Sequence, residues 1–207
     1  MKKFFALFAT LTLTVAAFAQ TPEEIIQRMD EATTRFESDG FSADLDIKVF
    51  LFTVKSKMFT RGDKARIETG ILSEKLIVWT DGKTEWTYDS TDKTVTIKDE
   101  DASGDNDSDS ADLLKDITAG YDVSLRKQTA TQWHIRCKKS STNTDPDDPK
   151  SMDLVIDKNT CLPVSLTASM KEGTLVLHDF KFGNVSEDQV TFRPEDYPDV
   201  KIVDERK

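Results

Sequence analysis

From Phe41 onward the chain alternates apolar and polar positions with a period of two, broken at short intervals by Gly, Asp, Asn and Pro. That pattern predicts short antiparallel strands joined by hairpins. Phe41, Ala43, Leu45, Ile47 and Val49 form one face, opposed by Ser42, Asp44, Asp46 and Lys48. At Phe50-Leu51-Phe52 the alternation gives way to a continuous apolar run. It reads either as a bend with a change of phase or as an exposed apolar hairpin tip. Val54 to Thr60 is a second strand, ended by Arg61-Gly62-Asp63-Lys64, where Gly-Asp is ordinary turn chemistry.

The centre of the chain is two adjoining hairpins. Leu76 to Thr80, Thr84 to Tyr88 and Lys93 to Ile97 are strands, and Asp81-Gly82 predicts a two-residue type I′ turn. Trp86 and Tyr88 lie on one face of their strand, Val95 and Ile97 on one face of the next. Later strands follow the same rule: Tyr121, Val123 and Leu125; Trp133, Ile135 and Cys137; Leu154 and Ile156; Leu162, Val164, Leu166 and Ala168; then Leu175 to Phe182. The Pro-broken tail from Val190 to Val203 is expected to pack along a sheet edge. Helical spacing occurs twice. Thr21-Pro22-Glu23-Glu24 is a capping box with Pro at the first helical position, leading into Ile25, Ile26, Met29, Ala32 and Phe36, and Gly40 stops it. Asp112 to Ile117 is a turn or two of helix with an apolar edge. About eleven strands at hairpin spacing mean a sandwich or barrel.

Residues 1–19 are set apart. Lys2-Lys3, an apolar stretch from Phe4 to Phe18 and Ala17-Phe18-Ala19 form a signal peptide cleaved after Ala19, so residues 20–207 are expected to be one exported, periplasmic domain. The chain has 28 basic and 38 acidic residues; without Lys2 and Lys3 its balance is −12. That charge argues against nucleic acid as a partner and against adsorption on anionic lipid, since both attract clustered Lys and Arg. An oxidising compartment invites a disulfide between Cys137 and Cys161, yet their phases differ and a strand should separate them, so both are expected free.

Catalytic groups are scarce. His134 and His178 stand on separate strands, no Cys or His pair has metal-ligand spacing, and Asp153 with Asp157 share a face predicted wet. Asp105, Asp107 and Asp109 match the start of a calcium loop, but Ser110 replaces its Gly and Asp116 its Glu. The run from Asp99 to Asp109 reads instead as a solvated loop. An enzyme, a metal site and a cofactor are therefore not expected.

The stretch from Glu74 to Asp89, with its Thr-Asp-Gly-Lys-Thr turn and Trp-Thr-Tyr strand, resembles the periplasmic outer-membrane lipoprotein carrier family typified by LolA. Leu154-Val155-Ile156-Asp157 to Leu162-Pro163, and Phe192-Arg193-Pro194 to Val200-Lys201-Ile202-Val203-Asp204, resemble its late hairpin and its close. The resemblance implies an unclosed antiparallel β-barrel with helical lids, whose apolar side shields the acyl chains of a lipoprotein travelling from inner to outer membrane. Its implied partners are lipidated proteins, an inner-membrane release machinery, an outer-membrane acceptor and transient membrane contact, with a monomer expected. A regulatory adaptor that binds lipidated protein without transport is the alternative on the same scaffold. The lipid-binding residues would be Leu45, Ile47, Trp86, Tyr88, Val95, Ile97, Trp133 and Ile135, and the lids would present Ile25, Met29, Leu113 and Ile117. Arg61, at the end of the second strand, matches the arginine that latches the lids in that family. Gly62 stands where the family has Pro, and Arg66 is a nearby competitor.

Overall fold

The computed structural model describes residues 20–71, 73–100, 114 and 117–207. The expected signal peptide, the acidic run over 101–109 and Leu113 lie outside them. The chain starts with α1 (Pro22–Thr34), then β1 (Phe41–Val49), β2 (Phe52–Arg61), β3 (Lys64–Ile71), β4 (Glu74–Thr80), β5 (Thr84–Asp89) and β6 (Thr94–Asp99). After residues 100–120 come β7 (Tyr121–Gln128), β8 (Gln132–Lys139), β9 (Ser151–Asp157), β10 (Pro163–Ser169) and β11 (Thr174–Phe182). A four-residue α2 (Glu187–Val190) and β12 (Lys201–Asp204) close it.

Twelve strands among the described residues form one sheet in the order β12-β6-β5-β4-β3-β2-β1-β11-β10-β9-β8-β7. Its two edge strands stay apart, so the barrel is unclosed. Every neighbouring pair is antiparallel except β12, which runs parallel to β6. The strand beyond the expected eleven is this tail, seated on the sheet edge. The chain crosses from β6 to β7 at opposite ends of the order, and β1 with β11 joins the two halves.

Helix α1 forms as its sequence dictates. Thr21 Oγ1 accepts from the Glu24 N–H while the Glu24 carboxylate accepts from the Thr21 N–H, a reciprocal cap. Ile25, Ile26, Met29 and Ala32 are buried against the sheet. Gly40 then takes φ +71 where the chain turns into β1, and a Cβ there would lie 2.0 Å from the Thr60 carbonyl oxygen. No L side chain fits.

Three local expectations are corrected. At the β4–β5 hairpin only Gly82 has positive φ, and the Asp81 carboxylate accepts from the Lys83 and Thr84 N–H groups. An Asx-type turn replaces type I′. In β10 a bulge between Pro163 and Ser165 reverses the phase, so Val164 points out while Leu166 and Ala168 point in. Cys161, in the turn before it with φ +59, packs half-buried against the core instead of pointing away from it. Cys137 and Cys161 are free, separated by β9 as expected. Burial, helped by Asp153, pushes the Cys137 thiol up to about 11.

Two outcomes follow. Gly40→Ala should lower stability by ~2–5 kcal/mol, the sum of left-handed strain and overlap with Thr60; urea unfolding measures it, and an unchanged midpoint would contradict the close approach. A thiol reagent at neutral pH should modify Cys161 in the folded protein and reach Cys137 only on unfolding. Two fast thiols of equal rate would contradict that burial.

Candidate functional site

The register defines a continuous apolar floor. Leu125, Ile135, Leu154, Leu166, Leu177 and Leu45 are partners in turn across β7, β8, β9, β10, β11 and β1. A second row runs beside it through Val123, Cys137, Met152, Ala168, Leu175 and Ile47. Five inter-strand steps of ~4.8 Å make this floor about 24 Å wide, more than the ~15 Å of half a bilayer's hydrocarbon core. The apolar residues of α1 cover it, with Ile25 and Met29 fully buried. Leu114 is buried and Ile117 half-buried against the same core.

The leucine row ends at β2. Beyond Leu45 the next partners in the row are Ser56 and Thr69, whose hydroxyls hydrogen-bond at 2.8 Å. Beside them Ala43 pairs with Met58 and Met58 with Ile67, which keeps the α1 side apolar as far as β3. From β4 to β6 the large aromatic and buried apolar residues lie on the other side of the sheet. There Trp79 pairs with Trp86 and Trp86 with Ile97, while Ile77 pairs with Tyr88 and Tyr88 with Val95. The eight expected lipid-site residues are therefore split. Leu45, Ile47, Trp133 and Ile135 face α1; Trp86, Tyr88, Val95 and Ile97 face the opposite way, and one acyl chain cannot touch both sets. Alternation fixes phase within a strand, but only the pairing through β2 and β3 tells which side that phase serves.

The far apolar patch has its own cover. Phe192 stacks on Trp86 and meets Trp79 edge-on at 5.4 Å, and Tyr197 lies 4.7 Å from Tyr88 between ring centres. Arg66 lies over the Phe59 and Trp79 rings, at 5.9 and 5.4 Å. The sequence reading put Phe192 and Tyr197 in an edge-packing tail and missed this second role. Its available signal was two aromatics in a Pro-broken segment, opposite a Trp/Tyr wall with nothing assigned to cover it.

Both arginines weighed as the latch grip this C-terminal segment. Arg61 donates through Nη1 to the Val185 carbonyl at 2.5 Å and pairs with Glu187 at 3.6 Å. Arg66 donates to the Gln189 carbonyl at 3.3 Å and pairs with Glu68 at 2.6 Å. Lys64 also bonds Glu187. Arg61 faces α1 as well, lining a cavity of about 80 Å³ with Thr33, Phe36, Gly40, Thr60 and Leu114. That volume is far below the ~300 Å³ of a small ligand pocket. Among the described residues the floor is covered: Leu45, Ile135, Leu154, Leu166 and Leu177 are each at most 6% exposed.

Polar groups considered as catalytic have other duties. Asp153 pairs with Arg136 at 2.6 Å. Asp157 caps its turn by accepting from the Asn159 and Thr160 N–H groups, which hold its carboxyl below the ordinary value. His178, read as isolated, lies 2.8 Å from Asp179 and 3.8 Å from Asp46. An open groove of about 500 Å³ beside it is lined by Asp44, Asp46, Lys55, Lys57, Glu68 and Lys75, a charged surface unsuited to an acyl chain.

The same fold occurs in a conserved protein of Thermus thermophilus, with TM-score 0.54, 16% identity, and coverage of 89% of this chain and 99% of that one. MucB aligns with TM-score 0.50 and 14% identity over 88% of this chain, which spans 65% of MucB's length. LprF of Mycobacterium bovis aligns with TM-score 0.50 and 12% identity, over 83% and 96% of the two chains. At such identities the likeness shows the fold alone. No protein-family model and no curated protein matches the sequence. The architecture is an unclosed, almost wholly antiparallel sheet carrying a helix over one apolar face.

The Glu187 carboxyl is held below its ordinary value, first by its hydrogen bond to Lys64 and then by the charges of Lys64 and Arg61. Its contribution to the C-terminal clasp is thus complete above the unfolded carboxyl range, about pH 4.3, and fades as pH drops through the lowered value. Glu187→Gln should melt below the parent at pH 7, and the gap should narrow as pH falls below the unfolded carboxyl range of about 4.3. A gap independent of pH would contradict the ion-pair role.

Proposed function

We propose that this protein is a non-enzymatic, periplasmic carrier that shields the acyl chains of lipoproteins under α1 and moves them from inner to outer membrane. One observation carries the reading: among the described residues, an apolar floor six strands wide is covered chiefly by one amphipathic helix, with Leu114 and Ile117 beside it. Side-chain hydrogen bonds of Thr21, Glu24, Gln27, Thr33 and Thr34 stay within the helix or its cap. What binds this helix to the sheet is chiefly apolar burial. Ile25, Ile26 and Met29, at ~1.5–3 kcal/mol each, contribute roughly 5–9 kcal/mol. An acyl chain burying about ten CH₂ groups at ~0.8 kcal/mol each offers about 8 kcal/mol. The two are evenly matched. An acyl chain can replace the helix on the floor, and the helix can replace the chain on release.

In this reading Leu45, Ile47, Trp133 and Ile135 line the acyl site, while Ile25 and Met29 are the lid's contact. Arg61, between the cavity at the end of α1 and the clasped C-terminal segment, is assigned the latch. A regulatory adaptor is the second reading, favoured by the covered floor: if α1 seldom lifts, occupancy becomes conditional and suits a sensor. Transfer of a lipoprotein between two sets of membranes separates carrier from adaptor.

The experiment is uptake of a fluorescent diacylated lipopeptide by the protein from residue 20. Met29→Ala weakens lid docking, by ~2–5 kcal/mol for a buried Met, and should tighten apparent affinity at least tenfold by raising the open population. Ile135→Arg, in the floor, should abolish uptake, with the melting curve checking that the variant folds. Absence of uptake by both the parent and Met29→Ala would overturn the carrier reading.

A further inference from the structure

Among the described residues, the most exposed apolar side chains cluster at one end of the sheet, away from both covered faces. Phe50 is 95% exposed, Leu51 96% and Phe52 77%, at the tip of the β1–β2 hairpin. Lys48 pairs with Thr174 and Lys55 with Gly70, so the β10–β11 and β3–β4 turns border the same end. They add Met170 and Ile71, 37% and 50% exposed. The hairpin is held firmly from behind. A Cβ on Gly173 would lie 2.3 Å from the Lys48 carbonyl oxygen, so the neighbouring turn lies directly against the base of the tip.

Two features show that folding did not choose these residues. Phe50 has φ +52, a left-handed conformation where Gly or Asn would serve, and its ring gains no burial in return. The tip end is locally basic as well. Residues 47–62 carry Lys48, Lys55, Lys57 and Arg61 and no acid, in a chain of net charge −10. Lys48 and Lys55 are exposed and set just behind the apolar tip, with Asp46 the cross-strand partner of Lys55. Glu172 and Glu74 in the bordering turns are accompanied by Lys171 and Lys75.

We propose that the Phe50-Leu51-Phe52 tip inserts into the headgroup boundary of a bilayer, with Lys48 and Lys55 on anionic phospholipid headgroups, docking the protein on its donor or acceptor membrane. Aromatic and aliphatic tips backed by cations suit that interface, whose apolar boundary lies ~5–10 Å down. The net negative charge opposes an anionic bilayer and a second copy alike, but it is screened beyond ~8–10 Å at physiological salt. Lys48 and Lys55 lie closest to a bilayer at the tip, whereas a tip-to-tip dimer would bring two basic tips together. The proposal deepens the carrier reading and rests on it only for the purpose of docking; the geometry of the tip is independent of any acyl site.

The test is flotation of the protein from residue 20 with vesicles of phosphatidylethanolamine and phosphatidylglycerol, beside vesicles of phosphatidylcholine. The bound fraction should be larger on the anionic vesicles and fall as salt is added. Phe50→Ser/Leu51→Ser/Phe52→Ser should lower binding about tenfold or more, through lost apolar insertion. Lys48→Gln/Lys55→Gln should remove the preference for anionic vesicles. The triple variant should melt like the parent and take up the lipopeptide equally well. No vesicle binding by the parent, or equal binding by the triple variant, would overturn the proposal. So would a concentration-dependent dimer lost in the triple variant without vesicle binding, which would give the tip to a second copy. Lipopeptide uptake without vesicle binding would sink the docking tip and leave the carrier reading intact; vesicle binding through the tip without uptake would do the reverse.

Discussion

The structure depends on one constraint: a single sheet must bury apolar residues on opposite sides in its two halves. The change falls between β3 and β4: Ser56 and Thr69 interrupt the leucine row with a hydrogen-bonded pair, while Met58 and Ile67 carry the α1 side no further than β3. A sheet apolar on one side alone would need one cover. This one needs two, and the chain supplies them from its two ends: α1 for the floor from β7 to β1, and the segment through Phe192 and Tyr197 for the patch from β4 to β6. The two covers meet at the end of β2, where Gly40 lies against Thr60 and Arg61 holds Val185.

The covers are built differently. The C-terminal one is fastened by stacked rings, two arginines, a lysine and a strand added to the sheet edge. Removing it would break these directional bonds together with the ring contacts, and an acyl chain offers no donor or acceptor to replace them. The N-terminal cover is attached chiefly by apolar contact, a non-directional interaction that any apolar surface of similar area can replace. That asymmetry is the physical basis for treating the α1 floor, and not the Trp/Tyr patch, as the site at which cargo exchanges.

Much of this was legible in the sequence. Capping box, strands, edge-bound tail and hairpin tip came from local rules, because period, caps and turn residues act over a few positions. The motifs around Trp79 to Tyr88 pointed to the unclosed barrel. What failed was non-local. Trp86, Tyr88, Val95 and Ile97 alternate as cleanly as Leu45 and Ile47, yet their side of the sheet depends on register counted across three other strands. The β10 bulge changed the side of Val164 for the same reason: one extra residue shifts the phase across it, so Val164 no longer shares a side with Leu166 and Ala168. Arg61 was found by its place at the end of β2. Its partners, Val185 and Glu187, lie more than 120 residues away and no local pattern names them.

The central claim is that α1 and an acyl chain compete for one floor. Hydrogen exchange of the protein with and without saturating diacylated lipopeptide tests it most directly. The account predicts that amides of α1 lose protection on binding while those of β8, β9 and β10 keep or gain it. Tight binding that leaves α1 as protected as before, or protection lost only around Phe192 and Tyr197, would contradict it.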